Sequence, residues 1–261
     1  MTTNSTPPSR VPHRLAHDIR GHGDPAVVFL HGVFMDRHLW DHVELEGVRA
    51  VCVDMPGHGH SRLVPGASID DHARAVADVL DHHGLDAPIT VGHSWGGMVG
   101  LRIARDRQLS GLFLVNTPLR RTRGVARLGF ILQRAMLGLG LPAKTYGKLA
   151  AAALIGEETR KARPELASDT GERARAIGRR GLRETLRSVL IESDDTIDLL
   201  ASLEAPWTFV AGRDDYVISN GFDTEIRRYG TLHVVDGAHT TPLEAPEDLN
   251  QILKDFLAER G

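Results

Sequence analysis

Cysteine is almost missing from this chain: Cys52 is the single one in 261 residues. An intramolecular disulfide is therefore impossible, and metal sites built on paired cysteines are excluded. Cys52 lies in an apolar run and is expected to be an inert core residue. Long apolar stretches are missing too. None reaches the ~18 residues that a membrane-crossing helix needs, and the run Leu128–Leu141 is interrupted by Gln133 and Arg134. No integral membrane association is expected. The opening MTTNSTPPSR lacks the apolar stretch of a secretory signal. Residues 1–12 are expected to be a disordered lead-in, with a cytoplasmic location by default. A strong charge of one sign is absent as well. Formal net charge is −3, which argues against nucleic acid as a partner. None of these features bears on oligomeric state.

What is present is an ordinary globular composition, 41% apolar and 25% charged. It suffices for a sizeable core in one large α/β domain, or in one domain carrying an insertion. Short apolar runs at Ala26–Leu30, Ala50–Val53, Ile89–Val91 and Leu112–Val115 read as buried strands. Between them, Ile69–His83 places Ile69, Ala73, Val76, Ala77 and Leu80 at helical spacing, and a second helix is expected from Ser94 to about Arg107. This alternation predicts a mostly parallel sheet with helices on both faces. From about Pro118 to Leu200 it stops, and an Ala-, Leu- and Arg-rich segment reads as several helices divided at Pro142 and Pro164. Strands return at Trp207–Ala211 and Thr231–Val235, before a last helix over about Glu247–Glu259. The expected organisation is an α/β core of residues 13–117 and 201–261, interrupted by a helical insertion of residues 118–200. Charge divides similarly. Pro118–Ile191 holds 16 Lys+Arg against 6 Asp+Glu, a balance of +10, while the remainder carries −13. Solvated arginine-rich helices account for this, and so does an attraction for anionic substrates or partners.

The strongest local signal is Gly92-His93-Ser94-Trp95-Gly96, a G-x-S-x-G between a strand and a helix. A sharp turn there strains the backbone at Ser94 and requires Gly92 and Gly96, whose side chains would collide with the neighbouring turn. The helix N-terminus beneath Ser94 favours developing negative charge. A serine hydroxyl needs a base, and His239, on the short loop after Thr231–Val235, is the best candidate among 14 histidines. Such a loop leaves the imidazole free to reach the serine. The imidazole in turn needs an orienting carboxylate. Asp215 is favoured over the adjacent Asp214, the other being expected to cap a helix or to meet Arg213. An oxyanion needs preorganised donors. These are assigned to the backbone N–H groups of Trp95 and Val33, with Phe34 as the alternative to Val33. His31, Gly32 and Phe34 are assigned to the substrate-binding surface. His58-x-His60 and adjacent His82-His83 lack the further ligands of a metal site, and Gly57 and Gly59 lack the Lys-Ser/Thr pair of a phosphate loop.

With these residues in view, the chain resembles the α/β-hydrolase superfamily, especially its small capped esterases, lactonases and meta-cleavage-type hydrolases. The resemblance rests on His31-Gly32, the turn Asp54-Met55-Pro56-Gly57-His58-Gly59-His60-Ser61, the elbow around Ser94, Gly212-x-x-Asp215, and His239 followed by Pro242-Leu243-Glu244-Ala245-Pro246-Glu247. These matches span most of the chain outside the insertion. The resemblance implies an eight-stranded, mostly parallel sheet with the insertion as a cap over the active site. Some members carry the acid after the strand that follows the nucleophile helix. Here that position holds Asn116, which favours Asp215. Where a proline often follows the acid, this chain has Val217-Ile218.

The function so implied is hydrolysis of an ester, lactone or thioester through an acyl-enzyme, with no metal or organic cofactor. C–C bond hydrolysis and acyl transfer use the same groups, and a non-catalytic ligand receptor of the same fold stands as a reading of another class. Ser94 argues against dehalogenase or epoxide hydrolase chemistry, which uses an aspartate there. The partner is a small acyl substrate, and the basic insertion suits one that is anionic or carrier-linked. Leu128–Leu141 reads as the core of the cap or as the lining of an acyl pocket.

Overall fold

The computed structural model describes residues 15–217 and 222–260, so the expected lead-in lies outside the described residues. Seven strands form one sheet: β1 (His17–Arg20), β2 (Ala26–Leu30), β3 (Arg49–Val53), β4 (Ile89–His93), β5 (Gly111–Val115), β6 (Trp207–Gly212) and β7 (Thr231–Val235). Their order is β1-β3-β2-β4-β5-β6-β7. Only β1 runs antiparallel to its neighbour. The eight strands implied by the resemblance are thus seven among the described residues. β1, His-Asp-Ile-Arg, escaped the sequence reading because an edge strand with mostly half-exposed polar residues shows no apolar period. β4 and β5 are buried at every position, as strands covered on both faces must be.

Helices α1 (Ile69–His82) and α2 (Trp95–Asp106) connect the first parallel strands. α1 starts where Ser68 and Asp71 form a reciprocal capping box, which satisfies N–H groups that no helical turn can reach. Between β5 and β6 come α3 (Gly124–Leu139), α4 (Ala143–Leu154), α5 (Glu157–Ala162), α6 (Glu165–Thr185), a π-helical turn (Leu186–Ile191) and α7 (Ile197–Ser202). The short α8 (Phe222–Ile226), α9 (Thr241–Glu244) and the terminal α10 (Pro246–Ala258) complete the chain.

Buried side chains form one cluster on each face of the sheet. Cys52 belongs to one of them, and burial pushes its thiol up to about 11, which keeps it unreactive. α3 departs from expectation. Of Leu128–Leu141 only Leu137 is fully buried, with Phe130 and Leu141 partly so, while Leu128, Ile131, Leu132, Met136 and Leu139 face solvent. The stretch is neither the expected cap core nor a closed pocket lining, because α3 touches its neighbours along a single narrow face.

Candidate active site

The chain runs outward from β2 to β3 on one side and to β4 on the other, so the switch in direction falls between β2 and β4. Ligands of open α/β sheets bind at the carboxyl ends of strands beside such a switch. Here those ends carry Gly32 after β2 and Ser94 after β4. Next along the sheet come Asn116 after β5, Asp215 after β6 and His239 after β7.

Ser94 occupies a one-residue elbow between β4 and α2, with φ 51° and ψ −115°. Such angles are costly for any residue with a Cβ and persist only where the surroundings enforce them. The Ser94 N–H donates to the Val115 carbonyl at 2.8 Å. A Cβ on Gly92 would lie 2.5 Å from Gly97 N, and one on Gly96 would lie 2.1 Å from the Leu30 carbonyl oxygen. Close backbone approach therefore requires both glycines, as the motif predicts.

Ser94 Oγ lies 2.8 Å from His239 Nε2, and His239 Nδ1 lies 2.9 Å and 3.1 Å from the two Asp215 oxygens. Ser94 is 5% exposed and His239 3%, so these bonds form away from bulk water, where charge–dipole interactions are strong. Burial pushes the Asp215 carboxyl up, but His239, the Asn116 amide and the Val217 N–H outweigh it and hold the group below the usual carboxylate range. Asp215, not Asp214, faces the imidazole. Asp214 is exposed, and its N–H donates to the Gly237 carbonyl. Arg213 does not meet it either, pairing instead with Asp236 at 2.9 Å.

His239 is held rather than free. Its N–H donates to the Leu154 carbonyl of α4 at 3.1 Å. Its carbonyl lies 2.7 Å from His93 Nε2, which must be the protonated nitrogen because a carbonyl only accepts. Burial, reinforced by repulsion from His239, pushes His93 down to about 3, so its ring is neutral. One turn further on, Glu244 accepts from the Thr240 N–H and hydroxyl through Oε1 and from the Gly156 N–H through Oε2. That carboxylate ties the histidine loop to the start of α5.

The loop after β2 is built from the second motif. The Met55 N–H donates to His31 Nε2 at 2.9 Å, and His31 Nδ1 lies 2.7 Å from the Gly32 carbonyl oxygen. His31 therefore carries its proton on Nδ1, and burial holds the ring neutral. A trans peptide points its C=O and N–H in opposite directions. Fixing the Gly32 carbonyl thus fixes the Val33 N–H, which meets no acceptor among the described residues. A Cβ on Gly32 would lie 3.1 Å from Ser94 Cβ, so this peptide passes close to the serine. Trp95 opens α2, and its N–H likewise has no partner within the helix. His31 itself is completely buried with both ring nitrogens engaged. It shapes the loop from behind, which corrects its assignment to the substrate-binding surface. Phe34 takes a left-handed φ of 63° and packs its ring 5.8 Å from that of Tyr146 on α4.

Three contributors went unassigned in the sequence: Asn116, His93 and Glu244. Asn116 Nδ2 donates to Asp215 Oδ2 at 2.7 Å and to the Ala238 carbonyl at 3.2 Å. Asn116 and His93 had been placed by the motifs, but only strand order reveals what they touch. Among the described residues no three histidine, cysteine or acidic side chains gather as a metal site. His58 turns toward the Pro56 carbonyl and His60 toward Arg37.

A sequence model of the alpha/beta hydrolase family matches residues 27–252. The chain belongs to this family. It is 39% identical over 87 residues to esterase Rv0045c of Mycobacterium tuberculosis, a match covering 32% of this chain and 29% of that protein. Across that esterase and six further curated relatives the match spans 26–38% of their own length. The sn-1-specific diacylglycerol lipase ABHD11 of Mus musculus is 26% identical over 90% of this chain and 81% of its own. Among solved structures, the enol-lactonase from Burkholderia xenovorans LB400 is similar in fold, with a TM-score of 0.84 at 18% identity over 94% of this chain and 96% of that one. In this alpha/beta hydrolase no helix of the described residues is long and apolar enough to cross a membrane.

Proposed function

We propose that this alpha/beta hydrolase cleaves a carboxylic ester-like bond, in an ester, lactone or thioester, through an acyl-enzyme on Ser94. The observation that carries this reading is the unbroken line from the Ser94 hydroxyl through His239 to Asp215, with steps of 2.8 and 2.9 Å. His239 takes the Ser94 proton as Oγ attacks the carbonyl carbon. Asp215 holds the imidazole in the tautomer that leaves Nε2 as acceptor, and it stabilises the imidazolium that forms. The oxyanion settles between the N–H groups of Val33 and Trp95, beside the positive end of α2. The imidazolium then protonates the leaving group. In the second half His239 activates a water, which releases the acid and restores the serine. Proton transfer of this kind contributes roughly 10²–10⁴-fold.

The helices between β5 and β6 act as a cap in this reading. Tyr146 packs on the oxyanion loop and the Leu154 carbonyl receives the His239 N–H, so α4 borders the site on two sides. The substrate is a small acyl compound that enters beneath these helices. The test is multiple turnover on short p-nitrophenyl esters, lactones and thioesters by the wild type beside Ser94→Ala. We expect turnover that falls by about 10⁴-fold or more in the variant. Tight ligand binding without product, or turnover that survives Ser94→Ala, overturns the reading.

A further inference from the structure

We propose that the exposed face of α3 is a docking surface for an anionic phospholipid bilayer, on which the protein lies peripherally. Val125, Leu128, Leu132 and Leu139 are 87%, 65%, 60% and 90% exposed, and Ile131 and Met136 widen the same arc. The spacing of three, four and seven residues puts them on one side of the helix, and no charged residue interrupts that side. Contiguous exposed apolar patches of this kind mark interaction sites. The face opposite is the one that packs, through Phe130 and Leu137.

Charge selects the occupant. Arg127 and Arg134 flank the stripe, and their Nε groups donate to the carbonyls of Ile191 and Arg183. At the far end the Arg183 and Arg179 side chains lie beside Gly138 and Gly140. Among the described residues none of these four arginines has a carboxylate ion-pair partner. A second copy seated on α3 would bring two insertions of the same positive sign together. An anionic lipid surface neutralises them while the leucines enter the headgroup–acyl boundary. Sixteen residues of helix span about 24 Å, less than the ~30 Å hydrocarbon core, so α3 lies along the surface.

The test is co-sedimentation of the full chain with phosphatidylcholine/phosphatidylglycerol vesicles, and with vesicles of phosphatidylcholine alone. We expect binding to the anionic vesicles that weakens with salt and is much weaker on the neutral ones. Leu132→Ser/Leu139→Ser should lower vesicle affinity at least roughly tenfold. Arg127→Gln/Arg134→Gln should lower it by about fivefold for each arginine. Both pairs lie away from Ser94; because Arg127 and Arg134 each give up a bond to a backbone carbonyl, thermal unfolding of each variant checks that the fold persists. Ser94→Ala should bind as the wild type does, so this test is independent of the proposed chemistry. Absence of binding to anionic vesicles overturns the proposal. So does a dimer in solution that Leu132→Ser/Leu139→Ser dissociates, which assigns the face to a second copy.

Discussion

Asn116 donates its side-chain amide to Oδ2 of Asp215 at 2.7 Å, the same oxygen that lies 2.9 Å from His239 Nδ1. One carboxylate oxygen after β6 is thereby held from residues after the strands on either side, β5 and β7, and the amide helps to hold Asp215 ionised. Its backbone adopts a left-handed φ of 46°, which asparagine and aspartate tolerate better than most residues.

Asn116→Asp keeps that backbone preference and the shape of the side chain, but sets a second carboxylate against Asp215. Like charges at this distance raise the pKa of the pair. We expect kcat to fall about tenfold and the acidic limb of the kcat/KM profile to move to higher pH. An unchanged pH profile contradicts the role assigned to Asn116.

His31→Leu removes both bonds of the imidazole, leaving the Met55 N–H and the Gly32 carbonyl without it. The Gly32 carbonyl keeps only the longer bond from the Met35 N–H at 3.4 Å, while the Met55 N–H is left buried and unpaired at a cost of about 1–3 kcal/mol. The peptide at Val33, the proposed oxyanion donor, also loses its fixed direction, and losing one such donor outright costs about 10²–10³ in kcat. The expected result is a lower urea midpoint and a kcat loss of up to that size, with KM little changed. A loss confined to KM indicates instead that His31 acts on substrate binding.

Glu244→Gln is nearly isosteric, yet its amide has one acceptor oxygen where the carboxylate uses two. Either Gly156 or Thr240 then faces an NH₂ group instead of an oxygen. We expect destabilisation of about 1–3 kcal/mol, read from chemical denaturation, and faster hydrogen exchange at Gly156 and His239. Unaltered exchange there argues that other contacts hold the histidine loop.

Acid should destabilise the protein well before carboxylates titrate. Burial pushes His58 and His93 down to about 3 and His72 to about 4, with repulsion from neighbouring histidines or arginines adding to it. The unfolded chain binds these protons from about pH 6.5 downward, while the folded chain refuses them until pH 3–4. Stability contributed by the neutral rings is therefore complete above about pH 6.5 and erodes as pH falls, by roughly 1.4 kcal/mol per pH unit for each ring. The urea midpoint should drop steeply between pH 6.5 and 5. A midpoint flat across that interval is incompatible with buried neutral imidazoles.

Much of the site was legible because its parts are local. Gly92 and Gly96 follow from the backbone crowding of a single turn. The order Ser94, Asp215, His239 emerged from turn motifs placed after apolar runs. Other parts had no local signature. β1 is too polar and too exposed for a periodic signal. Asn116 was noticed only as a position lacking a carboxylate. α3 carries an apolar sequence that looks the same whether its outer face is covered or bare.

By itself the amino-acid sequence determined the parallel α/β sheet, the elbow at Ser94 and the residue types of the proposed proton relay, since strand burial and tight turns depend on neighbours close along the chain. Tertiary structure alone decided that Asn116 braces Asp215, that the His239 carbonyl meets His93, and that the leucines of α3 face outward. Those contacts depend on strand order and on how one helix seats against another, and chain segments dozens of residues apart settle them only when they pack.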